Sequence, residues 1–179
     1  MSAEVDKGKT EATKGKEAKL ASLYEEYYDR IARYAYAHIG NKNEAEDIAG
    51  EVFLKAIESL GSYKERGVPM QAWLFKIAHN LVVDHLRKTG KHKTVPIDTV
   101  LVQADMDPVT AAERNIELER VTKAMAQLTR EQREVLRLRF FGGLTSKEAG
   151  SILSKSDGAI REMQRAAIEK LRRLLVTYY

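Results

Sequence analysis

Leu20, Leu23, Tyr27, Ile31, Tyr34 and Ala35 recur largely at steps of three and four residues, the spacing that places side chains on one face of an α-helix. This spacing predicts a helix over residues 18–38, ended by Gly40. Asn41, with Glu44 three residues on, caps a second helix that turns Ala45, Ile48, Val52, Phe53, Ala56 and Ile57 inward as far as Leu60. The stretch 61–70 has no helical period, and Gly67 and Pro69 punctuate it as a loop. A third helix over 70–88 carries Trp73, Leu74, Ile77, Ala78, Leu81, Val82 and His85 along one side. Three amphipathic helices with short connections bury one shared core.

The period is lost over 89–106, which opens on the basic run Arg87 to Lys93 and is expected to be a flexible linker. Val100-Leu101-Val102 has the character of a short strand but has no neighbour to pair with. Asp107-Pro108 restarts the helical pattern, with proline at the first helical position. Thr129 with Gln132, and Thr145 with Glu148, form capping boxes for two further helices, the first of them ending at Gly142-Gly143. After a tight turn at 154–156, a last helix turns Ile160, Met163, Ala167, Leu171, Leu174 and Leu175 inward. The expected fold is all-α. A disordered leader at 1–17 precedes a three-helix domain at 18–88, the linker at 89–106, and a four-helix domain at 107–179.

A short capped helix, a tight turn and a longer helix make the layout of a helix-turn-helix, whose second helix lies in the DNA major groove. Ala149 is the small residue where the two helices approach. With the apolar stripe turned inward, Arg161, Glu162 and Arg165 face outward near the start of the last helix. Arginine pairs with guanine and glutamate accepts from cytosine. Thr145, Ser146 and Lys147 flank them at the start of the preceding helix. An ordinary helical hairpin with a solvated charged face has the same pattern. In the first half, Tyr63, Lys64, Trp73, Lys76, His79, Asn80, Arg87 and Lys88 interleave aromatic, amide and cationic groups around one loop and one helix. That mixture suits single-stranded DNA, held by stacking and a cationic groove, with an extruded base in a hydrogen-bonding pocket. Trp73 and Tyr63 also fit a core or core-rim role.

Composition narrows the function. The 179 residues are 44% hydrophobic and 31% charged, with a net charge of +4, a soluble globular mix open to a polyanionic partner. The chain has no cysteine, which excludes disulfides, thiolate catalysis and thiol sensing by the chain itself. No apolar run reaches the length of a membrane span, and a cytoplasmic protein is expected. His79 and His85 stand six apart, off the i,i+4 face of helical zinc motifs, so no metal, no cofactor and no catalytic activity are expected.

Three blocks, Leu23 to Tyr28, Ala45 to Ala56 and Ala72 to Arg87, together resemble the sigma-two domain of extracytoplasmic-function sigma factors, members of the sigma-70 family. Leu128 to Leu153 and Gly158 to Arg172 resemble the sigma-four domain. The resemblance implies a transcription initiation factor that binds core RNA polymerase, recognises promoter −10 and −35 elements and promotes melting. It implies that Asp47, Glu51, Phe53 and Leu54 dock on the β′ coiled coil, with core packing as the other reading of Phe53. It implies that the 61–70 loop with Asn80 holds a flipped −10 base, that the last helix reads −35 duplex, and that residues 136–141 meet the β flap. It also implies an anti-sigma partner, in the cytoplasm or at the membrane, covering 47–56 and the last helix. The alternative is a dimeric helix-turn-helix regulator with the first half as its dimerisation domain.

Overall fold

The computed structural model describes residues 2–64, 67–90 and 108–176. Helix α1 spans Ser2–Ile39, α2 Lys42–Ser59 and α3 Met70–Thr89. Then follow α4 (Pro108–Ala126), α5 (Arg130–Leu136, continued by a wider π turn at Arg137–Phe141), α6 (Ser146–Leu153) and α7 (Asp157–Val176). No strand occurs among the described residues. The linker proper and Val100 to Val102 lie outside them.

The expected caps form. Asn41 accepts from the Glu44 amide at 3.1 Å, and both capping boxes are complete. Such caps satisfy amide donors that a helix start leaves without partners. One expectation fails at the N-terminus: α1 is helical from Ser2, where a disordered leader was expected. Alanine, lysine and glutamate, frequent in that stretch, are all strong helix formers, and continuity with a buried α1 spares the segment a nucleation step of its own.

The buried faces follow the periodicity, with two corrections. Leu20, Leu23, Tyr27, Ile31, Tyr34 and Ala35 are all buried, as are Ala45, Ile48, Val52, Phe53 and Ala56. Ile57, expected inward, is exposed. Phe75 is fully buried although it lies off the apolar side read for α3. Its position reflects the packing of the two domains on one another, which share part of a core. Val135, Leu138, Leu144, Ala149, Ile152 and Ile160 belong to the same cluster as the interior of α1–α3. Among the described residues, Met125, Leu128, Leu136 and Ala167 form a second cluster, where α4, α5 and α7 meet.

Two glycines permit this docking. At Gly142, a Cβ would stand 2.6 Å from the Leu138 carbonyl oxygen and 3.0 Å from the Phe75 ring. Gly143 adopts φ 62°, a conformation that favours glycine, and a Cβ there would collide with the Arg30 guanidinium. The pair therefore ends the helix and also lets the chain approach α1 and α3 closely.

Candidate nucleic-acid interface

Helices α6 and α7 form the expected helix-turn-helix. Ser154 turns the chain with φ 56°, and Ser156 Oγ accepts from the Ala159 amide at 3.1 Å to cap α7. Ala149 is fully buried, but Gly150 makes the closest approach: a Cβ there would lie 2.5 Å from the Lys155 carbonyl oxygen. Ile160 and Ala167 anchor α7 inward, which leaves Arg161, Glu162 and Arg165 exposed on its outer side.

These groups are already paired. Arg161 bonds Asp157, one turn back. Arg165 reaches Glu162 at 2.6 Å and Glu169 at 2.7 Å. Hydrogen bonds from Arg161 and from Ser146 hold the Asp157 carboxyl below its usual range. Arg165 does the same to Glu162. Exposed pairs of this kind are weak and screened by salt, so phosphate or a base edge can displace them. Thr145 has a structural role as the α6 cap and Ser146 donates to Asp157, while Lys147 is exposed.

The first-half residues divide into groups. Asn80 is exposed on α3 and lines an open cleft of about 440 Å³ with Lys55, Glu58, Ser59, Ile77 and Asp84. Lys64, Arg87 and Lys88 are exposed, and Arg87 bonds Asp84 at 2.9 Å. Tyr63 is buried instead of presented for stacking: its ring lies 4.8 Å from that of Trp73 and its hydroxyl donates to the Val68 carbonyl at 2.9 Å, which shapes the loop. Lys76 and His79 turn the other way, toward the C-terminal half.

Asp47, Glu51 and Leu54 are exposed on α2. Phe53 is not; its ring packs 4.8 Å from that of Tyr24 and 6.4 Å from that of Tyr28. The surface contact expected of Phe53 is therefore corrected to core packing. Leu54 and Ile57, 63% and 59% exposed, supply the apolar surface there.

A buried polar cluster between the halves was not apparent from the sequence. Glu134 of α5 receives Tyr34 Oη at 2.5 Å and meets His79 Nδ1 at 3.2 Å. His38 Nε2 faces the other carboxylate oxygen at 3.0 Å and Arg137 lies 3.8 Å away. Burial alone would raise the Glu134 carboxyl. Charge and hydrogen bonding from His38, with hydrogen bonds from His79 and Tyr34, outweigh it and hold the group well below the usual range. Among the described residues, no group of three or more acidic or histidine side chains is placed to hold a metal ion, and no helix is long and apolar enough to cross a membrane.

The fold is all-α in two halves, the second of which carries a helix-turn-helix with exposed arginines on its outer helix. Residues 23–92 match Sigma-70 region 2 and residues 124–173 match Sigma-70 region 4. The chain is 32% identical over 144 residues to the ECF RNA polymerase sigma factor BldN of Streptomyces coelicolor, covering 79% of this chain and 54% of BldN. It is 31% identical over 147 residues to the ECF RNA polymerase sigma factor SigD of Mycobacterium tuberculosis, covering 79% and 69%. The chain thus spans about half the length of BldN and about two thirds of SigD. The chain belongs to the ECF RNA polymerase sigma factors. The same fold occurs in CnrH, solved in complex with the cytosolic domain of CnrY, with TM-score 0.65 and 22% identity over 94% of this chain and 95% of that one.

Proposed function

We propose that this protein binds core RNA polymerase and directs it to promoters. In this reading, the half at 18–88 engages polymerase through Asp47, Glu51 and Leu54 and holds the melted −10 element at the cleft of Asn80, with Lys64, Lys76, Arg87 and Lys88 as cations and His79 as a hydrogen-bonding group near the backbone. The half at 107–179 reads −35 duplex through Arg161, Glu162, Arg165 and Lys147. Residues 136–141, where Phe140 is 64% exposed, contact the β flap. The observation that carries the reading is the outward display of Arg161 and Arg165 on the first turns of a capped second helix, in a chain whose other half matches Sigma-70 region 2. That match gives the first half a role that a mere dimerisation domain lacks.

Each reading surface is small, and phosphate contacts weaken with salt. Two linked surfaces gain avidity only when held at the right separation, which polymerase supplies. No cofactor and no catalytic group of the chain enter this mechanism; the chemistry is the polymerase's. The setting is the cytoplasm, or the membrane face when an anti-sigma factor covers 47–56 and α7. Run-off transcription with bacterial core polymerase on a randomised promoter library is expected to give discrete starts dependent on this chain. Absence of any start, or tight sequence-specific binding by the free chain in band shifts without polymerase, overturns the reading.

A further inference from the structure

The residues that join the two halves overlap those assigned to the −10 element. Lys76 Nζ donates to the Ile152 carbonyl, at the end of α6, at 2.7 Å. His79 Nδ1 lies 3.0 Å from Tyr34 Oη and 3.2 Å from Glu134 Oε1. Beside them, Gln71 donates to Glu148 at 3.1 Å. On α1, Arg30 donates to the carbonyls of Gly142 and Gly143 at 2.6 and 2.8 Å. Phe75 seals the apolar floor against Gly142. These contacts turn Lys76 Nζ and His79 Nδ1 toward the C-terminal half.

We propose that the C-terminal half is a reversible intramolecular occupant of the α1–α3 surface, latched by Glu134, and that it competes with promoter DNA for Lys76 and His79. The inference rests on the −10 assignment above and adds to it the competitor for those residues. Glu134 is the latch because it is the group on which the polar contacts from both halves converge. Tyr34 and His38 approach it from α1, His79 from α3 and Arg137 from its own helix. The Glu134 and Arg137 side chains are only 10% and 12% exposed. Removing one member of a buried charged pair leaves the other uncompensated. The open state, where water reaches Arg137, carries no such penalty. Loss of the Glu134 charge therefore shifts the equilibrium toward opening. The convergence of several buried polar contacts on Glu134 also gives the closed state a definite geometry, unlike a loose collapse.

The test uses the full chain, whose lack of cysteine allows paired labels at Lys42→Cys and Arg172→Cys, both exposed positions. Energy transfer between the labels reports closure. Fluorescence anisotropy with a labelled single-stranded DNA pool of randomised sequence reports access to Lys76 and His79. Glu134→Gln is expected to lower transfer efficiency and to tighten DNA binding about tenfold or more. Arg30→Ala, which loosens the Gly142 clamp and touches neither Glu134 nor a DNA-binding group, is expected to move both readouts the same way; it decides the matter if circular dichroism shows Glu134→Gln unfolded. Unchanged transfer in the folded variants overturns the latch, and so does reduced transfer without tighter DNA binding. Run-off transcription by the wild-type chain with core polymerase separates the two ideas. Transcripts alongside a failed latch leave the promoter reading standing, while their absence removes that reading as well.

Discussion

His38 Nε2 lies 3.0 Å from Glu134 Oε2, joining the last turn of α1 to α5 across nearly a hundred residues of chain. The two groups make stability depend on pH in the same direction. Burial lowers the His38 imidazole from its ordinary value of 6.5, outweighing the opposing pull of Glu134. A group that is harder to protonate when folded takes up its proton first in the unfolded chain. Stability from His38 is therefore intact above about pH 6.5 and declines as pH falls through that value. The Glu134 carboxyl is held well below its ordinary 4.5, so its contribution declines later, below about pH 4.5. The melting temperature is expected to be level near neutrality, to fall from about pH 6.5 and to fall again below about 4.5. His38→Asn should remove the upper step and Glu134→Gln the lower. A melting temperature rising between pH 7 and 5 would contradict this assignment.

Gly150 sets the angle of the helix-turn-helix. A Cβ 2.5 Å from the Lys155 carbonyl oxygen meets backbone, which cannot swing aside as a flexible side chain can. Gly150→Ala is expected to destabilise the chain by about 1–3 kcal/mol, the usual cost of overpacking, despite the helix propensity it gains. Thermal melts measure this directly. Ser151→Ala, one residue on at an exposed position, should leave the melting temperature nearly unchanged.

The difference between these neighbours also shows what the sequence makes legible. Faces set by a single helix were readable: the α1 stripe from Leu20 to Ala35 and the Thr129 and Thr145 capping boxes are local patterns. Contacts between distant segments were not. Glu134 lies in a charged stretch, Arg-Glu-Gln-Arg-Glu-Val, and nothing there marks which acid is buried, because Tyr34, His38 and His79 arrive from the other half. Phe75 sits off the apolar side read for α3 for the same reason, since it faces Gly142. The glycine pair offered a signal, as two adjacent glycines exceed what a helix end requires. Arg161 and Arg165 were placed correctly because the inward stripe of α7 alone determines its outer face.

Phe53 and Leu54 are adjacent on α2 and should separate cleanly in experiment. Phe53 is 4% exposed and packed among Tyr24 and Tyr28, whereas Leu54 is 63% exposed. Phe53→Ala is expected to cost about 3–5 kcal/mol of folding stability, as for other buried phenylalanines. Leu54→Asp should leave the melting temperature within a few degrees of wild type but weaken association with core polymerase, read as loss of co-elution on gel filtration. If Leu54→Asp associates as wild type while Asp47→Ala and Glu51→Ala do so too, this face of α2 is not the polymerase contact.

In the −35 contact proposed above, Arg161 and Arg165 differ in what each gives up. Arg161 has one acidic partner, Asp157, which the Ser146 hydroxyl also holds. Arg165 lies between Glu162 and Glu169. A base-reading arginine loses discrimination at one position when removed, whereas a phosphate-binding one weakens all sites alike and flattens the salt dependence. Arg161, one turn from the helix start, is the better placed to meet a base edge. Arg165, a turn further along and doubly paired, suits the backbone. With holoenzyme, Arg161→Ala is expected to relax preference at one −35 base pair by about tenfold to a hundredfold. Arg165→Ala should lower affinity evenly across sequences and reduce the slope of log affinity against log salt by about one. Selection from a randomised −35 library, repeated at two salt concentrations, reads both. The opposite pattern would exchange the two roles, and no change in either variant would remove α7 from the promoter contact altogether.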